Sequence, residues 1–203
     1  MKRQLAFISA FVMLWTFFGF APVAAHPNIG MLLGYKVDLS PGTGYVNSKV
    51  VVTINSFPKS KLIYVTFDDV YGCELTTAID GTGSCSLRVP ATDQGLHLVT
   101  ATGGGMSSSR YFNVDPRVKL TPNFGPRGTT MNVSLRGFLT DMSVVIKWYN
   151  STQKITIYTA HTSSTGSANF SFKVPSNAIP GPYKVWAREW TGTSTAATFT
   201  VTT

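Results

Sequence analysis

The chain has 203 residues, of which 43% are hydrophobic and only 13% are charged, and its formal net charge at pH 7 is +8. This length is enough for two compact domains that each bury a core without metals or many disulfides. Beyond the N-terminal segment no stretch is apolar enough to cross a bilayer, which excludes a membrane-spanning body for the rest of the chain.

Residues 1–25 have the parts of a secretory signal peptide. Lys2 and Arg3 are basic, residues 5–20 are apolar, and residues 21–25 include the small residues that signal peptidase selects. Cleavage after Ala25 would leave His26 as the mature N-terminus. The apolar run is short for a membrane span, so we expect a secreted or cell-surface protein. An uncleaved signal anchor is the alternative.

Residues 26–34 form a short leader that matches neither of the two units that follow it. Met31, Leu32 and Leu33 could add a strand to the open sheet edge of a neighbouring molecule. The alternative is a disordered tail.

The remainder of the chain is an internal repeat. Pro41 and Pro122 are separated by 81 residues, as are Phe57 and Phe138, and an alternating apolar strand lies between the members of each pair. We expect a first domain at residues 35–115 and a second at 116–203, with Pro116 at the junction because proline cannot donate to a strand ladder.

Each unit contains seven short alternating runs separated by Gly, Pro and Asp turns, and no helical periodicity. The predicted fold is all-β, with two tandem seven-stranded immunoglobulin-like β-sandwiches after the signal peptide. The strand candidates are 36–39, 49–54, 62–67, 74–79, 85–89, 96–102 and 110–114 in the first unit, and 118–120, 130–135, 143–148, 154–158, 168–174, 183–188 and 196–201 in the second.

The order of turn and strand signals resembles the immunoglobulin-like repeats of bacterial and archaeal surface proteins, and the IPT/TIG group is similar. The resemblance implies the sandwich fold, and it implies little about function, because such modules serve as spacers, adhesion units and filament or coat subunits. The residues that carry it are Pro122, Gly125, Gly128, Thr129, Gly137, Phe138, Gly166, Val174, Pro175, Pro180, Gly181 and Tyr183.

Two cysteines, Cys73 and Cys85, lie 12 positions apart on the arms of a predicted hairpin. In an exported protein this favours an intradomain disulfide over a metal site. Three N-glycosylation sequons begin at Asn132, Asn150 and Asn169 in the second unit, the first and third at outward strand positions and the second in a turn.

The charge is unevenly divided. Residues 26–115 carry six basic and seven acidic residues, whereas residues 116–203 carry nine basic residues and only Asp141 and Glu189 as acids. A basic extracellular domain suits an acidic polysaccharide, an anionic wall polymer, a negatively charged neighbouring subunit or lipid head groups, and secretion disfavours nucleic acid. A solvated basic surface that keeps the protein soluble is the simpler alternative.

Alternation in strands 143–149 and 183–188 predicts one exposed face that combines aromatic rings with cations. These two strands should be neighbours in one sheet of an immunoglobulin-like sandwich. Such a surface is used by protein interfaces and by sugar stacking, and we prefer an interface with a subunit or with the first domain. The face comprises Val145, Lys147, Tyr149, Trp186 and Arg188, with Trp190 near its edge.

Catalytic and cofactor motifs are not found. The chain has no G-x-S-x-G elbow and no glycine loop before a helix, and two acids in the second unit cannot supply the carboxylate pair of a glycoside hydrolase there. We therefore expect a non-enzyme without cofactors. A free His26 could bind copper with a second histidine, an idea that rests on this one residue. Asp68, Asp69, Glu74 and Asp80 could offer oxygens to Ca²⁺ but lack the regular ligand spacing of a calcium loop.

Together these features predict a secreted structural or adhesive protein that acts through sheet faces and edges, as a filament or surface-layer subunit. The alternative is an anionic-polysaccharide or cell-wall binding module that uses the basic aromatic face, and a copper protein that uses His26 is a remote one. The expected partners are proteins or further copies of the chain at the cell surface.

Overall fold

The computed structural model describes residues 34–151 and 154–203, and this part of the chain is entirely β-structure. The predicted signal peptide, His26 and the residues Met31, Leu32 and Leu33 proposed to add a strand to a neighbour lie outside the described residues. Among the described residues, none belongs to a helix of the length and hydropathy that crossing a membrane requires.

Sixteen strands follow one another along the described part of the chain. The first eight are β1 (Lys36–Ser40), β2 (Thr43–Gly44), β3 (Lys49–Asn55), β4 (Leu62–Phe67), β5 (Val70–Thr76), β6 (Gly83–Arg88), β7 (Gly95–Gly103) and β8 (Met106–Val114). The second eight are β9 (Arg117–Thr121), β10 (Phe124–Gly125), β11 (Thr130–Arg136), β12 (Ser143–Tyr149), β13 (Lys154–His161), β14 (Ala168–Lys173), β15 (Gly181–Glu189) and β16 (Ser194–Val201).

Each half packs a three-stranded sheet against a five-stranded one. The strand orders are β1-β3-β6 and β2-β8-β7-β4-β5 in the first half, and β9-β11-β14 and β10-β16-β15-β12-β13 in the second. The pairs are antiparallel except β2 with β8 and β10 with β16, which are parallel. Because β1 and β2 are two parts of one strand that changes sheet at Pro41, each half is a seven-stranded immunoglobulin-like sandwich.

The repeat seen in the sequence is also a repeat in three dimensions. The second set of sheets has the strand order of the first with every number raised by eight. A register shift falls between Val65 and Thr66 in the first half and between Ile146 and Lys147 in the second. Each half encloses its own cluster of buried apolar side chains, and within residues 34–151 and 154–203 the two clusters have no member in common.

An aromatic cluster occupies the same place in both cores. In the second half the Trp148 ring stacks on Tyr183 at 4.5 Å between centroids and lies 5.8 Å from Phe199. The Tyr183 hydroxyl accepts a hydrogen bond from the Ile179 backbone N–H, which ties strand β15 to the loop before it. This is the tyrosine corner of immunoglobulin-like domains.

Histidine replaces tyrosine at that corner in the first half. The His97 ring stacks on Phe67 at 5.4 Å, and its Nε2 lies 3.0 Å from the carbonyl oxygen of Asp93, again four residues upstream. Its Nδ1 lies 2.5 Å from the carboxylate of Asp68. A ring that is buried and has a partner at both nitrogens can hold the corner in place of a phenol.

Two buried threonines close equivalent loops. The Thr77 hydroxyl donates to the Pro58 carbonyl at 2.6 Å and accepts from the Lys61 backbone N–H. The Thr162 hydroxyl donates to the Leu139 carbonyl at 2.6 Å and accepts from the Met142 N–H. Each hydroxyl therefore provides hydrogen-bond partners for backbone N–H and C=O groups in a loop that pairs with no strand.

One strand candidate was misplaced. The candidate at 74–79 is observed as β5 at Val70–Thr76, and Ile79 is 82% exposed in the following turn. The reason is the turn that precedes it: Asp68 and Asp69 both have positive φ angles, which allows β4 to reverse directly into β5. Asp is among the few non-glycine residues that adopt this conformation readily.

The turn at Asp80 provides a test of local electrostatics. The hydroxyl and the backbone N–H of Thr82 both donate to Asp80 Oδ1, and these hydrogen bonds, the hydroxyl first, lower the pKa of the Asp80 carboxyl below its ordinary value of 3.8. We expect Thr82→Val to raise the pKa of Asp80 toward that value, as measured by NMR titration of the carboxyl carbon, with the Asp38 carboxyl as internal control.

The sign of the accompanying stability change follows from linkage. A carboxyl whose pKa is lower in the folded state stabilises it above the unfolded pKa, and this contribution disappears as the pH falls through the folded pKa. Because Asp80 is fully exposed, screening by water keeps the stability effect small, so the chemical shift is the better readout. An unchanged Asp80 pKa in Thr82→Val would contradict the assignment.

Candidate functional site

The candidate site is the outward face of the five-stranded sheet of the second domain. Strands β12 and β15 are antiparallel neighbours, and their register places Val145 opposite Arg188, Lys147 opposite Trp186 and Tyr149 opposite Lys184. The intervening residues Val144, Ile146 and Val185 are fully buried. The residues predicted as one face therefore do lie on one face, and we call Val145, Lys147, Tyr149, Trp186, Arg188 and Trp190 the Trp186 face.

Three cations surround the Trp186 ring. The ring centroid lies 5.3 Å from Lys147 Nζ, 5.7 Å from the Arg188 guanidinium carbon and 5.8 Å from Lys154 Nζ. Each cation is within the distance at which a ring quadrupole attracts it. Lys154 belongs to β13, and the sequence did not predict that this residue lies near the Trp186 face. The indole thus holds together three positive charges that would otherwise repel one another.

A shallow depression of about 260 Å³ lies beside this cluster, lined by Val145, Trp186 and Trp190 among others. Trp190 is 78% exposed, and Arg188 is exposed as well. Val145, Lys147, Tyr149 and Trp186 are half-buried, and no first-domain residue lines the depression beside them.

The cations of the Trp186 face form no ion pair among the described residues, although the buried Glu189 also lines the depression beside them. No ion pair among the described residues involves the second domain. Of its two acids, Asp141 lies in an exposed turn before β12, and Glu189 points inward and is 1% exposed. An approaching anionic group would meet cations that are not already neutralised.

Glu189 has a structural task at the domain junction. Its Oε1 accepts the Leu139 backbone N–H at 2.6 Å, and its Oε2 accepts from Gln94 Nε2 at 2.9 Å and from the Thr191 hydroxyl at 3.1 Å. Gln94 belongs to the first domain, in the loop that His97 anchors at Asp93. A buried carboxylate with several donors is well satisfied without a cation.

The junction itself is short. Only Asp115 and Pro116 separate β8 from β9. The Asp115 carboxylate accepts from the Thr43 hydroxyl at 2.6 Å and from Asn113 Nδ2 at 2.7 Å, so the linker is tied to the first domain. Together with the Gln94–Glu189 bond this holds the two sandwiches in a defined arrangement.

The five-stranded sheet of the first domain presents a different outward face. It exposes large apolar side chains rather than cations, and Leu98 pairs with Tyr111 while Tyr64 pairs with exposed Glu74. Asp68 and Asp69 lie at the end of the neighbouring hairpin. We call this surface the first-domain face, and it comprises Leu62, Tyr64, Leu96, Leu98 and Tyr111.

The other predicted residues are placed as follows. Cys73 and Cys85 form a disulfide between β5 and β6. Asn132 and Asn169 are exposed on β11 and β14, and Asn150 follows β12. Across residues 34–151 and 154–203, no three His, Cys, Asp or Glu side chains are grouped so as to hold a metal ion.

Comparison with known proteins gives similarity in fold only. No protein-family model matches the chain, and no curated protein matches it. Similar solved structures include the adhesin InvE of Yersinia pseudotuberculosis, with 13% identity and a TM-score of 0.40 over 83% of this chain and 59% of that chain. The D0-D1 domain of intimin has 13% identity and a TM-score of 0.31 over 82% of this chain and 97% of that chain.

A third similar structure is the central fibronectin-III array of RIM-binding protein, with 14% identity and a TM-score of 0.32 over 83% of this chain and 60% of that chain. The chain thus spans about three fifths of the length of the InvE structure. At these TM-scores the fold is established by the strand pairing described above, and the site must be interpreted from its own residues.

Proposed function

We propose that this chain is an exported, non-enzymatic protein of the cell surface that acts as an adhesive or structural subunit through the Trp186 face. The observation that carries the proposal is the cluster of the half-buried Trp186 ring with three cations on an outer sheet face, next to the exposed Trp190. Tryptophan and arginine are the residues most enriched at the energetic centres of protein interfaces.

A second copy of the chain offers a matching surface. The first-domain face exposes Tyr64, Leu98 and Tyr111 and is bordered by the carboxylates of Glu74, Asp68 and Asp69. Its aromatic and acidic groups complement the aromatic and basic groups of the Trp186 face. Because the two faces belong to different domains, the contact is head to tail, and such contacts build filaments unless they close into a ring.

Replacing Trp186 with alanine is the direct test of this proposal. It removes the ring that organises the cations, and we expect the self-association constant of the mature protein to fall at least about tenfold, since loss of an interface centre costs about 2 kcal/mol or more. Sedimentation velocity over a concentration series measures this constant. Circular dichroism should show an unchanged fold because the ring lies on the outer face.

The matched control is Ile79→Ala, which removes a large exposed apolar side chain that belongs to neither face. Tyr111→Ala on the first-domain face should weaken association as Trp186→Ala does, and the double variant should be no weaker than the stronger single one if the two rings meet. A wild-type protein that remains monomeric at all concentrations would rule out self-assembly.

The second candidate function is binding of an anionic polysaccharide by the same face. The three cations around Trp186 favour it, because an indole with adjacent cations can stack on a sugar ring and pair with its carboxylate or sulfate. Salt-sensitive retention of the monomer on heparin-agarose, lost in Trp186→Ala, would support this candidate over self-assembly. Equal retention of both proteins would exclude the face as the glycan site.

A further inference from the structure

A groove at the domain junction gathers cations from both domains. It has a volume of about 560 Å³, and Arg88 of the first domain faces Arg117, Lys119 and Arg136 of the second across it. Val46, Val89, Pro90 and Ala91 form its apolar part. The volume is in the range of ligand-binding pockets. We call this feature the junction groove, and it lies on the sheet opposite the Trp186 face.

Strand geometry arranges these cations in rows. Arg117 and Lys119 alternate on β9 with the buried Val118 and Leu120, so both point outward and lie about 7 Å apart along the strand. On the neighbouring strand β11, Arg136 pairs with Arg117 and Ser134 pairs with Lys119. The spacing suits a ligand with several regularly placed charges better than a single small anion.

The arginines are held in position by neutral groups. Arg88 Nη1 donates to the Asn47 carbonyl at 3.1 Å, Arg136 Nη1 donates to the Leu135 carbonyl at 2.6 Å, and the Arg117 guanidinium lies 5.2 Å from the Tyr45 ring. None of the four cations forms an ion pair within the described part of the chain. A guanidinium has five donors, so each arginine keeps donors for a ligand.

The surface that continues from the groove is polar. The outward positions of β9, β11 and β14 carry Thr121, Asn132, Ser134, Asn169 and Ser171, and none of the exposed large hydrophobic residues lies on these three strands. A protein partner would need an apolar or aromatic anchor there. Hydroxyl and amide groups between cations fit a hydroxylated, negatively charged polymer instead.

We propose that the junction groove binds an acidic polysaccharide, whose sulfate or carboxylate groups are bound by Arg88, Arg117, Lys119 and Arg136. The ligand then contacts both domains at once. This site is independent of the Trp186 face, so the protein can be attached to an anionic matrix by one surface and to a protein neighbour by another.

The test uses the mature two-domain protein, produced without N-glycosylation, and a heparin octasaccharide as the sulfated probe. Isothermal titration calorimetry should show binding that weakens with salt. The double variant Arg88→Ala/Lys119→Ala should bind at least about tenfold more weakly, because it removes one charge-assisted contact from each side of the groove. The charge-matched control Lys59→Ala/Lys61→Ala and the variant Trp186→Ala should bind like the wild type.

Three further probes decide the chemistry. An oligogalacturonate tests whether carboxylates alone are sufficient for binding to the junction groove, and its binding would support uronic acids as ligands. Neutral dextran should not bind, and binding equal to that of heparin would overturn the role of charge. If a single-stranded DNA oligonucleotide of equal charge binds more tightly than heparin, the groove is a nucleic-acid site and the proposal is overturned. Unaltered heparin binding by Arg88→Ala/Lys119→Ala would also overturn the proposal.

Discussion

Replacing Trp148 with alanine is expected to lower the free energy of unfolding of the second domain by about 3–5 kcal/mol, the usual cost of deleting a large aromatic side chain from a core. Trp148 is fully buried and contacts Tyr183, Phe172 and Phe199. The cavity would lie where the two sheets meet, and the rigid strands around it cannot collapse to fill it. Denaturant unfolding followed by near-UV circular dichroism measures the change.

Trp190→Ala is the matched control, since it deletes the same side chain from an exposed position of the same domain. It should change the stability by no more than about 0.5 kcal/mol. In thermal unfolding, Trp148→Ala should lower the midpoint of the second domain by at least about 12 °C, given the usual shift of 4–8 °C per kcal/mol for a domain of this size. A loss below about 1 kcal/mol would contradict the packing described for Trp148.

The second large effect is expected for Glu189→Ala, which should cost about 2–4 kcal/mol and loosen the domain junction. The substitution leaves the Leu139 N–H without its carboxylate acceptor and removes the closer of the two acceptors of Gln94. An unsatisfied buried donor costs about 1–3 kcal/mol, and hydrogen bonds to a charged group add to this. Stability is measured by denaturant unfolding, and domain orientation by residual dipolar couplings.

Gln94→Ala separates the two consequences. It removes the bonds that Gln94 makes across the junction to Glu189 and Thr193 but leaves Glu189 with the Leu139 and Thr191 donors. It should therefore change domain orientation with a loss of only about 1 kcal/mol. Asp141→Asn, at the other and exposed acid of the domain, should change neither. If Glu189→Ala lowers the stability but neither Glu189→Ala nor Gln94→Ala changes the domain orientation, the short linker alone defines how the two domains are arranged.

The sequence was sufficient for the architecture because alternation reports which side chains face inward. The repeat of 81 residues predicted two equivalent units, and the alternation in β12 and β15 predicted the composition of the Trp186 face. The first inference rests on the internal repeat, and the second on periodicity along a strand and on one neighbour relation between strands. Neither required knowledge of how loops pack.

The features that the sequence did not predict are those that depend on tertiary contacts. Glu189 looked like one of two acids on a basic domain, yet its oxygens accept from Leu139 and Gln94 of two distant segments and from Thr191 in its own turn. His97 looked like a departure from the repeat, although it holds the same corner as Tyr183. The junction groove collects residues from β6, β9 and β11, and no local pattern connects them.

The parallel pairs at the start and end of each sandwich have a mechanical consequence. The short strand β2 is bonded to β8 through Asn113 N–H to Gly42 and Asp115 N–H to Gly44, and β10 is bonded to β16 in the same manner. A force that pulls the ends of a domain apart drags the two parallel strands in opposite directions. Their hydrogen bonds are then strained in shear and must break together, so tension along the chain meets resistance before either sandwich opens.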